Sequence, residues 1–270
     1  MTTAQTTVRE IAVENPASIR IFEKFGIDYC CGGRKPLAEA CAERALEPAA
    51  VLAAIEAAAQ PAGHAAADWS TASLAALCTH IVTTHHEYIR REIPRVRRFA
   101  QKVVARHGAD HPELPRIQVL VKTVGEDLVQ HLGKEELILF PWIASLERNM
   151  ATCGPPSLGC AGAMKHPIRV MMAEHDAAGE MLEEIRELSH DCTPPEGACP
   201  TYLGFYQALS EFGRDLRRHV HLENNILFPR AIELEVSPIR TSRAGTDEAP
   251  ARSRSAASRL SASHSQPLFG

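Results

Sequence analysis

Residues 131–141 read HLGKEELILFP, and residues 219–229 read HVHLENNILFP. His131, Glu135, Phe140 and Pro141 return as His219, Glu223, Phe228 and Pro229, each 88 residues further on. Residues four apart share one helix face, about 6 Å along the axis at ~1.5 Å rise per residue. Each His-x3-Glu unit therefore aims an imidazole and a carboxylate into the same volume. The face they share is otherwise apolar. Ile117, Leu120 or Val121, Val124 and Leu128 lead into His131 and Glu135, and Phe205, Leu209, Phe212 and Leu216 lead into His219 and Glu223. In a third run His175 continues the stripe Ile168, Met171, Ala178, Leu182 and Ile185. A chain with this pattern has to bury carboxylates and imidazoles inside a helical core.

The run before these is less clear. One stripe passes through Leu74, Leu77, Ile81 and His85, another through Val82, His86, Ile89, Ile93 and Val96. Periodicity alone does not choose between the two histidines. His86-Glu87 and His175-Asp176 lie 89 apart, close to the 88 of the other pair, which favours His86. The four runs predict an up-down four-helix bundle made of a duplicated helical pair. No stretch alternates as a strand does, so the fold is expected to be all-α.

Composition divides the chain further. Residues 1–60 carry short helical patterns with stops, Pro16, Pro36 and Pro48 suiting first turns and Gly26 a helix end. Residues 61–70 read as a linker, 71–236 as the bundle, and 237–270, rich in Ser, Arg and Ala, as a disordered tail. A net charge of −4 gives nucleic-acid binding no support, and no apolar run reaches the ~18 residues of a membrane span. The first residues lack the pattern of a secretory signal, so a cytoplasmic location is expected. Its eight cysteines are then expected as free thiols or ligands rather than disulfides.

A buried unpaired carboxylate costs several kcal/mol, and two that face each other also repel. No Lys or Arg lies on the stripes near Glu135 or Glu223, so metal ions are the economical compensation. Four imidazoles and two carboxylates suit two ions with the carboxylates as bridges. That donor set, without thiolate, suits iron better than zinc or manganese. His80, His85 and His221 flank the set and read as surface residues or outer supports, and each Phe-Pro as packing plus a helix stop or kink. Glu187–His190 lies off the stripe, and His107–His111 falls in a loop. DYCCGG at 28–33 places Cys30 and Cys31 in a glycine-rich turn; a thiol site and a buried turn of small residues are equally good readings. The loop carrying Cys153 and Cys160, and the pair Cys192 and Cys199, have spacings too irregular for a zinc site.

The doubled HxxxE-x4-FP, MKHPIRVMMAEHDAAGE at 164–180 and IDYCCGG together resemble the repair-of-iron-centres family over about residues 6–236. These are cytoplasmic, hemerythrin-like di-iron proteins with a small ScdA-type N-terminal domain. The resemblance implies a carboxylate-bridged pair of irons held by His86, His131, Glu135, His175, His219 and Glu223, with the family's cysteine pair at Cys30 and Cys31. It also implies repair of iron–sulfur clusters damaged by oxidative and nitrosative stress, by supplying iron to iron–sulfur proteins as clients. Two other readings stay open: a nitric-oxide-reducing di-iron enzyme, and a module that senses nitric oxide or oxygen. So does a homodimer. Oxygen-carrying hemerythrins have an HxxxH pair where this chain has His175 and Gly179, which argues against reversible oxygen carriage.

Overall fold

The computed structural model describes residues 2–58, 68–153 and 162–236. Residues 61–67 of the expected linker, Cys160 and its loop, and the tail from residue 237 lie outside the described residues. Among those described there is no strand, only an isolated bridge between Thr7 and Pro36.

Four short helices form the N-terminal unit: α1 (Val8–Glu14), α2 (Ser18–Phe25), α3 (Leu37–Ala42) and α4 (Pro48–Ala58). A capping box between Thr7 and Glu10 starts α1. Gly26, at φ 65°, ends α2 in the left-handed conformation that glycine adopts without strain. Val8, Ile11, Phe22, Tyr29, Leu37, Val51 and Ile55 close its core.

Four long helices follow. The first, α5 (residues 74–107), runs as Leu74–Ile81, a π-turn over Val82–His86, and Glu87–His107. Next, α6 (114–153) runs as Leu114–Lys134, a π-turn over Glu135–Leu139, and Phe140–Cys153. An uninterrupted α7 spans Lys165–Leu188. Last, α8 (200–236) joins Pro200–His221 and Phe228–Val236 through a π-turn over Leu222–Leu227. The side-chain oxygens of Glu147 on α6 accept from the Leu74 and Ala75 amides at 2.7 and 3.0 Å, capping the start of α5.

Two apolar layers fill the bundle. Ile89, Val96, Ile117, Val124, Phe205 and Phe212 belong to one; Leu77, Ile81, Ile143, Ile168 and Phe228 belong to the other. The polar level lies between them along every helix. Phe-Pro does not stop either helix: Phe140 and Phe228 begin the helical segments that continue α6 and α8. The wider π-turn just before each proline relieves the ring's clash with the preceding turn, so the helix passes through.

Candidate metal centre

All three π-turns fall at the histidines and glutamates singled out above. They contain His86, Glu135 and Glu223, and the extra residue in each turn re-aims the side chains that follow it. α7, which contributes only His175, has none. The result is one buried cluster of six side chains, each at most 3% exposed.

They form two interlocking quartets: His86, Glu135, His219 and Glu223, and His131, Glu135, His175 and Glu223. In the first, the Nε2 atoms of His86 and His219 are 3.1 Å apart. Glu135 Oε2 lies 3.5 Å from His86 Nε2, and Glu223 Oε1 lies 2.9 Å from His219 Nε2. In the second, the His131 and His175 Nε2 atoms are 2.9 Å apart. Glu135 Oε1 stands 3.3 Å from His131 Nε2, and Glu223 Oε2 stands 3.1 Å from His175 Nε2. Each carboxylate thus gives one oxygen to each quartet. The quartets also cross the internal repeat, since His86 meets His219 and His131 meets His175.

The outer nitrogens are held from outside the cluster. His86 Nδ1 bonds Glu136 Oε1 at 2.7 Å, an oxygen that also accepts from Arg90. His131 Nδ1 bonds Glu174 Oε2 at 2.8 Å, and Lys134 pairs with the same carboxylate. His175 Nδ1 bonds Asn224 Oδ1 at 2.9 Å. Such bonds orient a ring so that Nε2 faces inward with its lone pair available. The rings of Phe140 and Phe228 stack on His86 and His175 and exclude water from that side.

The electrostatics call for cations. Both oxygens of Glu135 and Oε2 of Glu223 are buried without a hydrogen-bond donor among the described residues. Burial disfavours a charged His131, yet the Glu135 and Glu223 carboxylates outweigh it and lift its pKa to about 9. Burial likewise opposes ionisation of Glu223, but the imidazoles of His219, His175 and His86 hold it well below the carboxylate range. For His219 burial wins and the pKa falls. Buried carboxylate oxygens facing inward imidazole nitrogens fit metal ions, and imidazole with carboxylate but no thiolate fits iron.

Of the flanking histidines, His85 is buried and turned away from the cluster, its Nδ1 3.0 Å from Asp215 Oδ1. His221 is also buried; its Nδ1 accepts from Asn225 Nδ2 and its ring meets Tyr29 edge-on. Neither is a surface residue, which corrects that part of the expectation. His107 ends the helical part of α5, with Nε2 3.3 Å from Cys199 Sγ, so only His111 of that pair lies in the turn beyond. Glu136, Glu174 and Asn224 were not singled out from sequence. The only signal was their place next to an inward residue, one step off the stripe.

The Cys-Cys turn lies over the same level of the bundle. Asp28 accepts from the Cys30, Cys31 and Gly32 amides at 2.8 to 3.2 Å, shaping the turn with its own side chain. Both thiols are free, and Cys31 Sγ lies 3.6 Å from the His175 carbonyl oxygen. A bond to Cys31, burial and the nearby Asp28 hold the Cys30 thiol well above its ordinary pKa. Gly179 faces Cys31 across this contact: a Cβ there would stand 3.4 Å from Cys31 Sγ, an ordinary van der Waals distance. A cleft of about 1050 Å³ between the N-terminal unit and the bundle is lined by both cysteines, Asp28, His175, Asp176 and Gly179.

A four-helix bundle with this buried His/Glu cluster is a metal-binding bundle. Residues 78–231 match the family described as Hemerythrin HHE cation binding domain, and residues 4–59 match ScdA_N, a domain of unknown function (DUF542). The chain is 38% identical over 226 residues to the iron-sulfur cluster repair protein YtfE of Yersinia pseudotuberculosis serotype O:1b, covering 83% of this chain and 96% of that protein. The same identity and coverage hold for YtfE of Yersinia pestis strain Pestoides F. The chain belongs to the hemerythrin HHE cation-binding family. No helix among the described residues is long and apolar enough to cross a membrane.

Proposed function

We propose that this protein restores iron–sulfur clusters damaged by oxidative and nitrosative stress, supplying iron from a di-iron centre in its bundle. The observation that carries the reading is the pair of quartets sharing both carboxylates. One ion would be held by His86, His219, Glu135 Oε2 and Glu223 Oε1, the other by His131, His175, Glu135 Oε1 and Glu223 Oε2. Iron bound there would supply ferrous–ferric redox chemistry and, when ferrous, an exchangeable ion. The relatives' name, iron-sulfur cluster repair protein, supports the same task. The protein's own groups do the holding: Glu136, Glu174 and Asn224 orient three of the imidazoles, and the carboxylates offset the ions' charge.

The N-terminal turn fits a role in handing iron on. The Cys31 thiol lies beside the carbonyl of His175, and both cysteines line the cleft between the two units, where a client iron–sulfur protein in the cytoplasm would receive the ion. Two measurements test this. Elemental analysis of protein expressed with iron is expected to find about two irons per chain; none would overturn the central claim. Reduced protein is expected to restore an iron-depleted iron–sulfur protein, and a Cys30→Ser/Cys31→Ser variant to do so poorly. Normal donation by that variant removes the thiols from the scheme. Catalytic consumption of nitric oxide, rather than stoichiometric binding, would replace the repair reading with an enzyme.

A further inference from the structure

The internal repeat exposes an irregularity in the centre. Glu136 and Asn224, 88 apart, are counterparts, and they hold the outer nitrogens of the counterparts His86 and His175. His131 and His219 are the other counterpart pair. His131 is held by Glu174, the residue just before His175. The matching position for His219 is the residue just before His86, and that residue is His85.

That position carries an imidazole in place of a carboxylate. His219 Nδ1 is buried with no hydrogen-bond partner among the described residues. The His85 ring lies nearly parallel to that of His219, with centroids 5.9 Å apart, and turns its own Nδ1 to Asp215. Asp215, one helical turn before His219, has its other oxygen buried and unpaired. Three of the four imidazoles are therefore backed by an acceptor and the fourth is not. A backing acceptor strengthens an imidazole ligand and fixes its ring, and its loss typically weakens metal binding about 10–100-fold.

We propose that the two halves of the centre hold their ions unequally, and that His85, standing where the repeat puts a carboxylate, makes the His86/His219 half the one that gives up iron. This rests on the di-iron, iron-supplying reading and names the ion that leaves. His85 acts as a positioning residue, through His219 and Asp215. One half keeps its ion through release of the other, so both carboxylates stay partly compensated and the bundle core remains formed.

Full-length protein loaded with ferrous iron alone, mixed without oxygen with excess ferrous chelator, tests it. Two release phases of equal amplitude are expected, with rates about 10–100-fold apart. His85→Glu combined with Asp215→Asn, which avoids two facing carboxylates, is expected to slow the fast phase toward the slow one. A merely structural role for His85 would loosen the site on substitution, so slower release is a result it cannot produce. Glu174→His copies the irregularity into the other half and is expected to leave only fast release. A single phase from protein holding two irons overturns the inference and leaves the di-iron reading standing. An unchanged fast phase in the folded double variant also overturns it. If that variant does not fold, an unchanged slow phase in Glu174→His decides against it. Fewer than two irons per chain overturns the reading beneath it.

Discussion

Leu137 is 80% exposed and Ile138 64% exposed, whereas their counterparts 88 residues on, Asn225 and Ile226, are 7% and 8% exposed. Both pairs sit in π-turns that begin or contain an inward glutamate and end before Phe-Pro. The difference is what lies outside. Arg9 reaches the Asn225 carbonyl, Asn225 Nδ2 donates to the Tyr29 carbonyl at 2.8 Å, and Arg218 grips Glu23 through two bonds of 2.7 and 2.8 Å. The N-terminal unit covers the second copy at these points. Inward, the two copies need the same chemistry because each carboxylate serves both quartets. Outward they meet different neighbours, so the residues differ.

The largest effects concern the inward equivalence. Glu135→Leu and Glu223→Leu are each expected to reduce iron from about two per chain to below one, and to equal extents, because each removes an oxygen from both quartets. Elemental analysis checks this, and clearly unequal losses would break the equivalence. Next comes the outward contrast. Ile226→Ala is expected to cost about 2–5 kcal/mol in denaturant unfolding, as buried large-to-small changes do. Leu137→Ala should stay within about 0.5 kcal/mol, as exposed positions do. Similar costs would mean that Leu137 is covered in solution.

Arg218→Ala tests the tie between the units. Arg218 is 43% exposed at its side chain, so the loss is expected to be about 1 kcal/mol or less. Hydrogen exchange should quicken over residues 219–229 and not over 131–141. The smallest effect is one of pH. Bonds from Arg186 first, and then from Arg44 of the N-terminal unit, lower the Glu183 pKa from 4.5 to about 2. A carboxylate whose pKa is depressed by folding contributes stability above the unfolded value and loses it as pH falls toward the folded one. The Arg44–Glu183 tie should therefore weaken between about pH 4.5 and 2. Arg44→Ala should flatten that part of the profile; an unchanged profile would show that the tie contributes nothing.

Much of the architecture was legible because helical periodicity is a local signal. The stripes through His131, His175 and His219 predicted which faces turn inward, and those faces are buried. Gly26 ended α2 as its position suggested. The first long run had two competing stripes for a physical reason. Leu74, Leu77, Ile81 and His85 are buried along one, and His86, Ile89, Ile93 and Val96 along the other. The π-turn at Val82–His86 shifts the phase by a residue between them, so the ambiguity was the mark of the turn itself. Of the two roles read for Phe-Pro, the packing holds and the stop does not: each phenylalanine stacks on an inward histidine, and the helix runs on past a π-turn that precedes each proline.

By itself, then, the sequence determined an all-helical chain with imidazoles and carboxylates on its buried faces, since side-chain period and burial depend on neighbours three and four residues away. Only the tertiary structure decided that His86 meets His219 and His131 meets His175, and that Glu174 lies behind His131. It also decided that His219 has no such support and that Cys31 packs against α7. These pairings join residues from 43 to 144 positions apart. Nothing local encodes them: they exist only once four helices have packed around a shared polar level and a second unit has docked on one side of it.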